Sequence, residues 1–193
     1  MKFSILIPTL PSRIKTFFPR LLDILEPQVK DKPVEILALL DNKTMSLGDK
    51  RNQLMKLAQG DFLAFIDDDD VVEANYVETI LTAITANPNT DCIVFPQLVY
   101  INNGPPKRCL YGIEYEYEDG PELWTGKPAH TQVWNSRLAK SCSFSPKLYG
   151  EDFDFVAQAW PKVKRQVRLD CAPLYHYYFN TATSETRKRR CTR

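Results

Sequence analysis

The side chains best suited to chemistry in this chain are four consecutive carboxylates, Asp67, Asp68, Asp69 and Asp70, in the segment FIDDDD. Adjacent negative charges repel, so such a run either stays in open water or holds something cationic. A solvated acidic turn is the plain alternative. The preceding FLAFI, residues 62–66, is apolar throughout and predicts a fully buried strand, which puts the acids at its carboxyl end. Open α/β sheets hold their ligands at that end. An oxygen-only donor set suits Mg2+ or Mn2+ and not zinc. Asp41 ends another buried strand. Lys50 and Arg51 fall in the first turn of a helix, where cations oppose the macrodipole and an anionic partner would explain them. Arg51 also shares a stripe with Leu47, Leu54 and Ala58, whereas Lys50 reads as a solvated cation on the outer face. Glu151 and Asp152 follow Gly150 and open an amphipathic helix marked by Phe153, Val156, Ala157 and Trp160; the dipole favours carboxylates there even without a catalytic duty.

The elements that must position these groups follow from periodicity and punctuation. Phe3 to Pro8 is an apolar first strand ended by Pro8 and Pro11. Ile14, Phe17, Phe18, Leu21, Leu22 and Leu25 recur at helical spacing, and Pro19 among them demands a kink or a later start. Val34 to Leu40 is the second strand. A capping box at Ser46 to Asp49 opens a helix that runs to about Gln59, with Gly60 as its stop. The acid-bearing strand comes next, then a helix through Val77, Ile80, Leu81 and Ile84, closed by Asn87 and Pro88. This β-α-β-α-β-α order implies right-handed crossovers and a parallel sheet. In the second half, Cys92 to Val99 and Arg108 to Tyr115 read as strands joined in a hairpin by Asn-Asn-Gly-Pro-Pro. The stretch 116–131 is acidic, aromatic and rich in Pro and Gly, the composition of a mobile loop. A short helix near Arg137 to Ser141, a helix from about Glu151, and strands near Gln166 to Leu169 and Leu174 to Phe179 complete the reading.

With 193 residues and 44% hydrophobic content, one well-buried core in a single domain is expected. The 25 basic and 24 acidic side chains nearly cancel, so no global charge drives the protein onto nucleic acid, and any anion must be held locally. Cys92, Cys109, Cys142, Cys171 and Cys191 show no metal spacing and fit free or structural thiols in a reducing, cytoplasmic compartment. The apolar start is broken by prolines and is better explained as a strand than as a leader. No apolar run approaches the roughly 20 residues of a membrane span, which leaves peripheral membrane contact at most. The tail from Arg187 to Arg193 holds five basic residues in seven and reads as a solvated end.

A strand ending in Pro-Thr, a strand ending in Asp, a Lys-Arg-Asn helix, an apolar strand ending in Asp-x-Asp-Asp and a later Glu-Asp before a helix follow one another in order. This sequence resembles the GT-A glycosyltransferases, in particular the inverting family-2-like group, with FSILIPT, LGDKRNQLMKLAQGDFLAFIDDDD and YGEDFDF carrying most of the likeness. The resemblance implies a Rossmann-like three-layer α/β/α sandwich. Its central sheet would be mostly parallel, with a small antiparallel hairpin in the acceptor half. Residues 1–100 would bind the nucleotide sugar, 101–180 the acceptor, and 181–193 would be a basic tail. By the same resemblance Pro8, Thr9 and Asp41 contact base and ribose, Lys50, Arg51 and Asp68 serve the donor, and Asp67 meets ribose or metal-bound water. Asp69 would ligate the Mn2+ or Mg2+ that bridges the diphosphate, because a departing diphosphate gains negative charge. Asp152 would be the general base toward the acceptor hydroxyl, with Glu151 as the substitute. Asp70 would be supporting, or a cap for the next helix. His176 stands where related enzymes carry a third metal ligand or phosphate contact, with Thr183 and Ser184 nearby. Trp124 and His130, in the 116–131 stretch, would recognise the acceptor, an aromatic ring stacking on a sugar face.

The implied activity is transfer of a hexose from a nucleoside diphosphate sugar, most simply a UDP sugar, to a hydroxyl of a glycan, lipid-linked sugar or protein glycan, with inversion. Two competing readings use the same residues. FIDDDDVV also fits the nucleophile motif of haloacid-dehalogenase-like phosphatases, with Asp67 as nucleophile and Asp69 as acid/base, although two β-α units precede it here. A catalytically silent nucleotide-sugar-binding module would keep Asp69 and the pocket without turnover.

Overall fold

The computed structural model describes residues 1–147 and 150–181. Its first sheet takes β1 (Phe3–Thr9), β2 (Val34–Leu40), β3 (Phe62–Phe65), β5 (Cys92–Val94), β10 (Val133–Asn135) and β11 (Gln166–Arg168) in the order β11-β5-β10-β3-β1-β2. β1 lies parallel to β2 and β3, with Phe3 opposite Val34 and Phe62, and β11 lies parallel to β5. β10 runs antiparallel to both of its neighbours.

Alternation along β1 explains the layers. Phe3, Ile5 and Ile7 face α1 (Phe17–Val29) and α3 (Tyr76–Ala86), packing with Leu21, Leu25, Val77 and Ile80. Leu6 faces the other way, where α2 (Leu47–Leu57) and α5 (Glu151–Ala159) contribute Leu54, Met55, Phe155 and Ala159 beside Trp134. In β1, β3 and β5 both faces are buried, which is why those strands are apolar without alternation. The GT-A three-layer expectation therefore holds.

The second sheet combines β4 (Val71–Val72), β6 (Gln97–Ile101), β7 (Lys107–Tyr111), β8 (Glu118–Asp119), β9 (Leu123–Gly126) and β12 (Tyr175–Phe179), in the order β4-β12-β6-β7-β9-β8. The expected hairpin is present as the antiparallel β6/β7 pair, with Asn102 and Asn103 at positive φ in its turn. It forms only part of this larger sheet. The continuous strand expected over Cys92 to Val99 is two strands in different sheets. Pro96 cannot donate to a ladder, and its carbonyl instead accepts from Leu174 N at 3.0 Å. The stretch 116–131 is not a bare loop either, because β9 adds in parallel to the edge of β7 and β8 folds back on β9.

Local signals are met with small shifts. α1 starts late, so Pro19 lies in its first turn, where a missing N–H costs nothing. Ser46 caps α2, its hydroxyl accepting from Asp49 N at 3.0 Å. α2 stops at Leu57, and Gly60 is not its cap. Gly60 sits against β1, where a Cβ would meet Ser4 Oγ at 2.6 Å. A four-residue helix, α4 (Ser136–Ala139), follows β10. Among the described residues no helix is long and apolar enough to cross a membrane.

Candidate active site

The carboxyl ends of β1, β2 and β3 lie side by side, and the residues just beyond them form a network of buried charge. β3 delivers the four acids, but their environments differ. Asp68 and Asp70 are buried, whereas the side chains of Asp67 and Asp69 keep 24% and 30% of their exposure, so these two retain access to a ligand. Thr9, at the end of β1, donates its hydroxyl to Asp68 Oδ2 at 2.6 Å. Arg13, in the loop after β1, pairs with Asp68 and reaches Asp69 Oδ2 at 2.8 Å. Asp70 accepts from Tyr175 Oη at 2.6 Å and from Tyr178 N at 2.9 Å, and Tyr175 Oη also receives Asp67 N at 3.2 Å. Asp70 thus fastens the acidic turn to β12. It does not cap α3, which begins six residues later with Asn75 before it.

Lys50 is buried, which corrects its reading as an outer-face cation. Its ammonium pairs with Asp41 and donates to Thr9 O at 2.6 Å, tying the end of β1 to the end of β2. Asp41 also accepts from Met45 N at 2.8 Å and Thr44 N at 2.7 Å. Burial alone would raise its carboxyl, but Lys50 and these backbone donors hold it down to about 2. Arg51 is buried as well. It donates to Asp67 Oδ1 at 2.8 Å and to Glu151 Oε1 at 2.6 Å, with its guanidinium 5.5 Å from the Phe144 ring centroid. The cation in a disfavoured helix position therefore has anionic partners inside the protein.

Arg51 links the acidic turn to α5. Gly150 precedes that helix at φ 79, a left-handed conformation that favours glycine. Glu151 points inward to Arg51, while Asp152 lines a cavity of about 780 Å³ together with Asp67, Arg51 and His130. Asp152 Oδ1 accepts from Phe153 N at 3.0 Å. Its Oδ2 lies 3.9 Å from His130 Nδ1, and His130 Nε2 lies 4.0 Å from Asp67 Oδ2. His130 is buried between the two acids. Burial and the nearby Arg51 pull its pKa down to about 4, so the ring is neutral at pH 7. Trp124 lines the same cavity, on β9.

Several expected residues stand elsewhere. Pro8 is buried within β1, opposite Leu39, with no free surface for a base. Thr9, Asp41, Lys50, Asp68 and Asp69 do not line the cavity; they form the adjoining network. His176 is not brought to the acids. Tyr175 and Tyr177 line the cavity, and alternation along β12 turns His176 to the other face, where its ring nitrogens meet Glu73 Oε1 at 2.7 Å and Tyr100 Oη at 3.3 Å. Thr183, Ser184 and the basic tail lie outside the described residues. Sequence reasoning missed Arg13 and Tyr175. An arginine in the first β-α loop was a usable signal, since that loop borders the ligand edge of such sheets. Nothing local marks Tyr175, 105 residues from the acid it holds.

The donor set fits a hard divalent cation. Asp69 carries a carboxyl pushed up to about 6, chiefly by burial and then by Asp67 and Asp68, with Arg13 opposing them. Among the described residues no three His, Cys, Asp or Glu side chains form a ready-made cage. A metal with two protein carboxylates, completed by phosphate oxygens and water, matches how Mg2+ is usually held.

Known proteins place the chain in context. Over 169 residues it is 27% identical to EpsH of Bacillus subtilis (strain 168), whose name assigns it to the glycosyltransferases; the match covers 72% of this chain and 43% of that protein. The structure of S. aureus TarS 1-349 in complex with UDP-GlcNAc superposes with a TM-score of 0.66 at 17% identity, covering 92% of this chain and 58% of that one. Mycobacterium tuberculosis glucosyl-3-phosphoglycerate synthase, in complex with Mn2+, UDP-glucose and phosphoglyceric acid, gives 0.59 at 14% identity, covering 91% and 71%. The chain thus spans less than two thirds of EpsH and of TarS 1-349, and the structural likenesses establish the fold. Residues 4–139 match the profile of Glycosyl transferase family 2, which includes the acid-bearing strand and both β-α units before it, and the chain belongs to that family.

Proposed function

We propose that the protein transfers a hexose from a nucleoside diphosphate sugar, with UDP as the nucleotide, to an acceptor hydroxyl with inversion. The observation that carries this reading is the convergence of Asp67, Arg51 and Asp152, from β3, α2 and α5, at one cavity beside the carboxyl ends of the sheet. Family membership supports glycosyl transfer, and the UDP sugars bound by the neighbours of like fold support the donor class. The phosphatase reading loses its footing, since Asp67 is bonded to a buried arginine and is the third strand's acid in a family-2 chain.

Asp152 is the general base in this reading. Its Oδ1 is held by Phe153 N, its Oδ2 lies 3.9 Å from His130 Nδ1, and the residue lines the cavity. The acceptor hydroxyl passes its proton to Asp152 Oδ2 as its oxygen bonds to the anomeric carbon. On the opposite side the glycosidic C–O bond breaks and its electron pair leaves with the diphosphate, so configuration inverts. Glu151 acts differently. Buried against Arg51, it orients the guanidinium that holds Asp67. Asp67 and Asp69 would hold Mn2+ or Mg2+, which would neutralise the charge gathering on the departing diphosphate. Asp41, Lys50 and Thr9 shape the nucleotide end by locking β1 to β2. Free thiols at Cys92, Cys109, Cys142 and Cys171 support a reducing, cytoplasmic setting.

The deciding experiment is UDP release from UDP-glucose and UDP-N-acetylglucosamine with Mn2+, in the native chain and in Asp152→Asn. The variant should lose about 10²-fold or more in kcat while still binding the donor. Undiminished turnover in the variant would remove Asp152 as the base. Donor binding without turnover in the native chain would favour the silent module.

A further inference from the structure

We infer that the acceptor is an uncharged sugar, recognised by an aromatic wall in front of Asp152 and selected against anionic acceptors by the charge of that wall. This rests on the glycosyl-transfer reading and adds the acceptor class to it. Away from Asp67, the cavity is lined by Tyr117, Trp124, Phe153, Trp160 and Tyr177. Tyr117 and Phe153 are 64% and 66% exposed, although rings of that size normally bury on folding. Phe153 follows Asp152 in α5, and both residues line the cavity.

Trp124 is held in place and not loosely hung. Tyr111 and Tyr117 flank it at centroid distances of 5.0 and 5.5 Å. A Cβ at position 126 would fall 2.5 Å from its indole, so Gly126 leaves that ring its space. Rigid aromatic faces meet the apolar C–H face of a pyranose and leave its hydroxyls at the rim, free for chemistry.

Charge supplies the selection. Among the described lining residues the cations are Arg51 and Lys127. Arg51 is committed to Asp67 and Glu151. Lys127 donates to Glu116 Oε1 at 2.8 Å and Ile113 O at 3.0 Å, and sits 4.7 Å from the Trp160 ring centroid. Against these two stand Glu116, Glu151 and Asp152, with Asp67 beyond the wall on the metal side. A phosphate or carboxylate entering this wall would lose water, find no unpaired cation among the described lining residues and meet excess negative charge. A neutral sugar meets none of these costs.

The test uses the full chain with Mn2+ and the two UDP sugars, first without acceptor to record donor hydrolysis. Methyl β-D-glucopyranoside and octyl β-D-glucopyranoside are then compared with glucose 6-phosphate and glucuronic acid as stimulators of UDP release. The neutral glycosides should outperform the charged sugars by about tenfold or more in kcat/KM, the scale of one uncompensated charge near a protein surface. Phe153→Ala should raise the KM for the neutral glycoside about tenfold through loss of a stacking face, and Phe153→Tyr should restore it. Stimulation by the charged sugars alone or equally, stimulation by none of the four, or an unchanged acceptor KM in Phe153→Ala overturns the inference while donor hydrolysis keeps the transferase reading. Absence of both donor binding and hydrolysis removes the reading on which it rests.

Discussion

At the residue scale, Arg51 is the side chain on which most of the site depends. It is fully enclosed and satisfies two carboxylates from different elements. Arg51→Met would leave Asp67 and Glu151 as uncompensated acids. The expected cost is about 3–5 kcal/mol in urea denaturation, because breaking a buried pair exposes the full desolvation penalty of what remains. Asp41 offers a pH-resolved companion experiment. Its folded pKa, about 2, lies below the ordinary carboxylate value, so its stabilisation is present above pH 4 and disappears as pH falls toward 2. Asp41→Asn should therefore cost about 1 kcal/mol at pH 7, after allowance for solvent screening, with the gap between variant and native chain closing below pH 4. A gap that is constant with pH would mean that the charge of Asp41 contributes nothing and only its hydrogen bonds matter.

At the element scale, the acidic turn belongs to two sheets at once. β3 of the first sheet delivers it, and β12 of the second holds it through Tyr175 and Tyr178 N on Asp70. This coupling is why a two-residue strand, β4, can form directly after the acids: its partner β12 is already fixed beside it. Tyr175→Phe removes the donor to Asp70 and the acceptor for Asp67 N without leaving a hole. Thermal or urea denaturation should register a loss of about 1–3 kcal/mol, the cost of unsatisfied buried polar groups. Retained stability would show that Asp70 is carried by Tyr178 N alone.

At the scale of the whole molecule, the cavity lies between a charged network built at the carboxyl end of the first sheet and an aromatic wall built from α5 and the second sheet. Ligands that join the two should stabilise the fold as a unit. Mn2+ with a saturating UDP sugar, at about 100 times Kd, is expected to add about 2.7 kcal/mol. For a chain of 193 residues that corresponds to about 5–10 °C in Tm. EDTA should abolish the metal-dependent part, and Asp69→Asn should reproduce that loss without EDTA. An Asp69→Asn protein with an unchanged Mn2+-dependent shift would move the metal to other ligands.

Much of this was legible along the chain. Hydrophobic runs and breakers located β1, β2, β3, α2 and α3, because burial on both faces of a parallel sheet leaves an unmistakable apolar signature. The motif order around Asp67, Asp69 and Asp152 named the family now matched over residues 4–139. Signals of this kind are local, or depend only on order. The split of Cys92 to Val99 and the strands within 116–131 depended on which sheet edge was free to accept a partner, and the facing of His176 on which face of the second sheet meets the cavity; both are properties of the assembled fold. The same holds for the acids: four identical side chains in a row differ only in what surrounds them. Arg13, Arg51 and Tyr175 come from three separate segments, and long-range packing alone decided that Asp68 and Asp70 are internal struts while Asp67 and Asp69 keep access to a ligand.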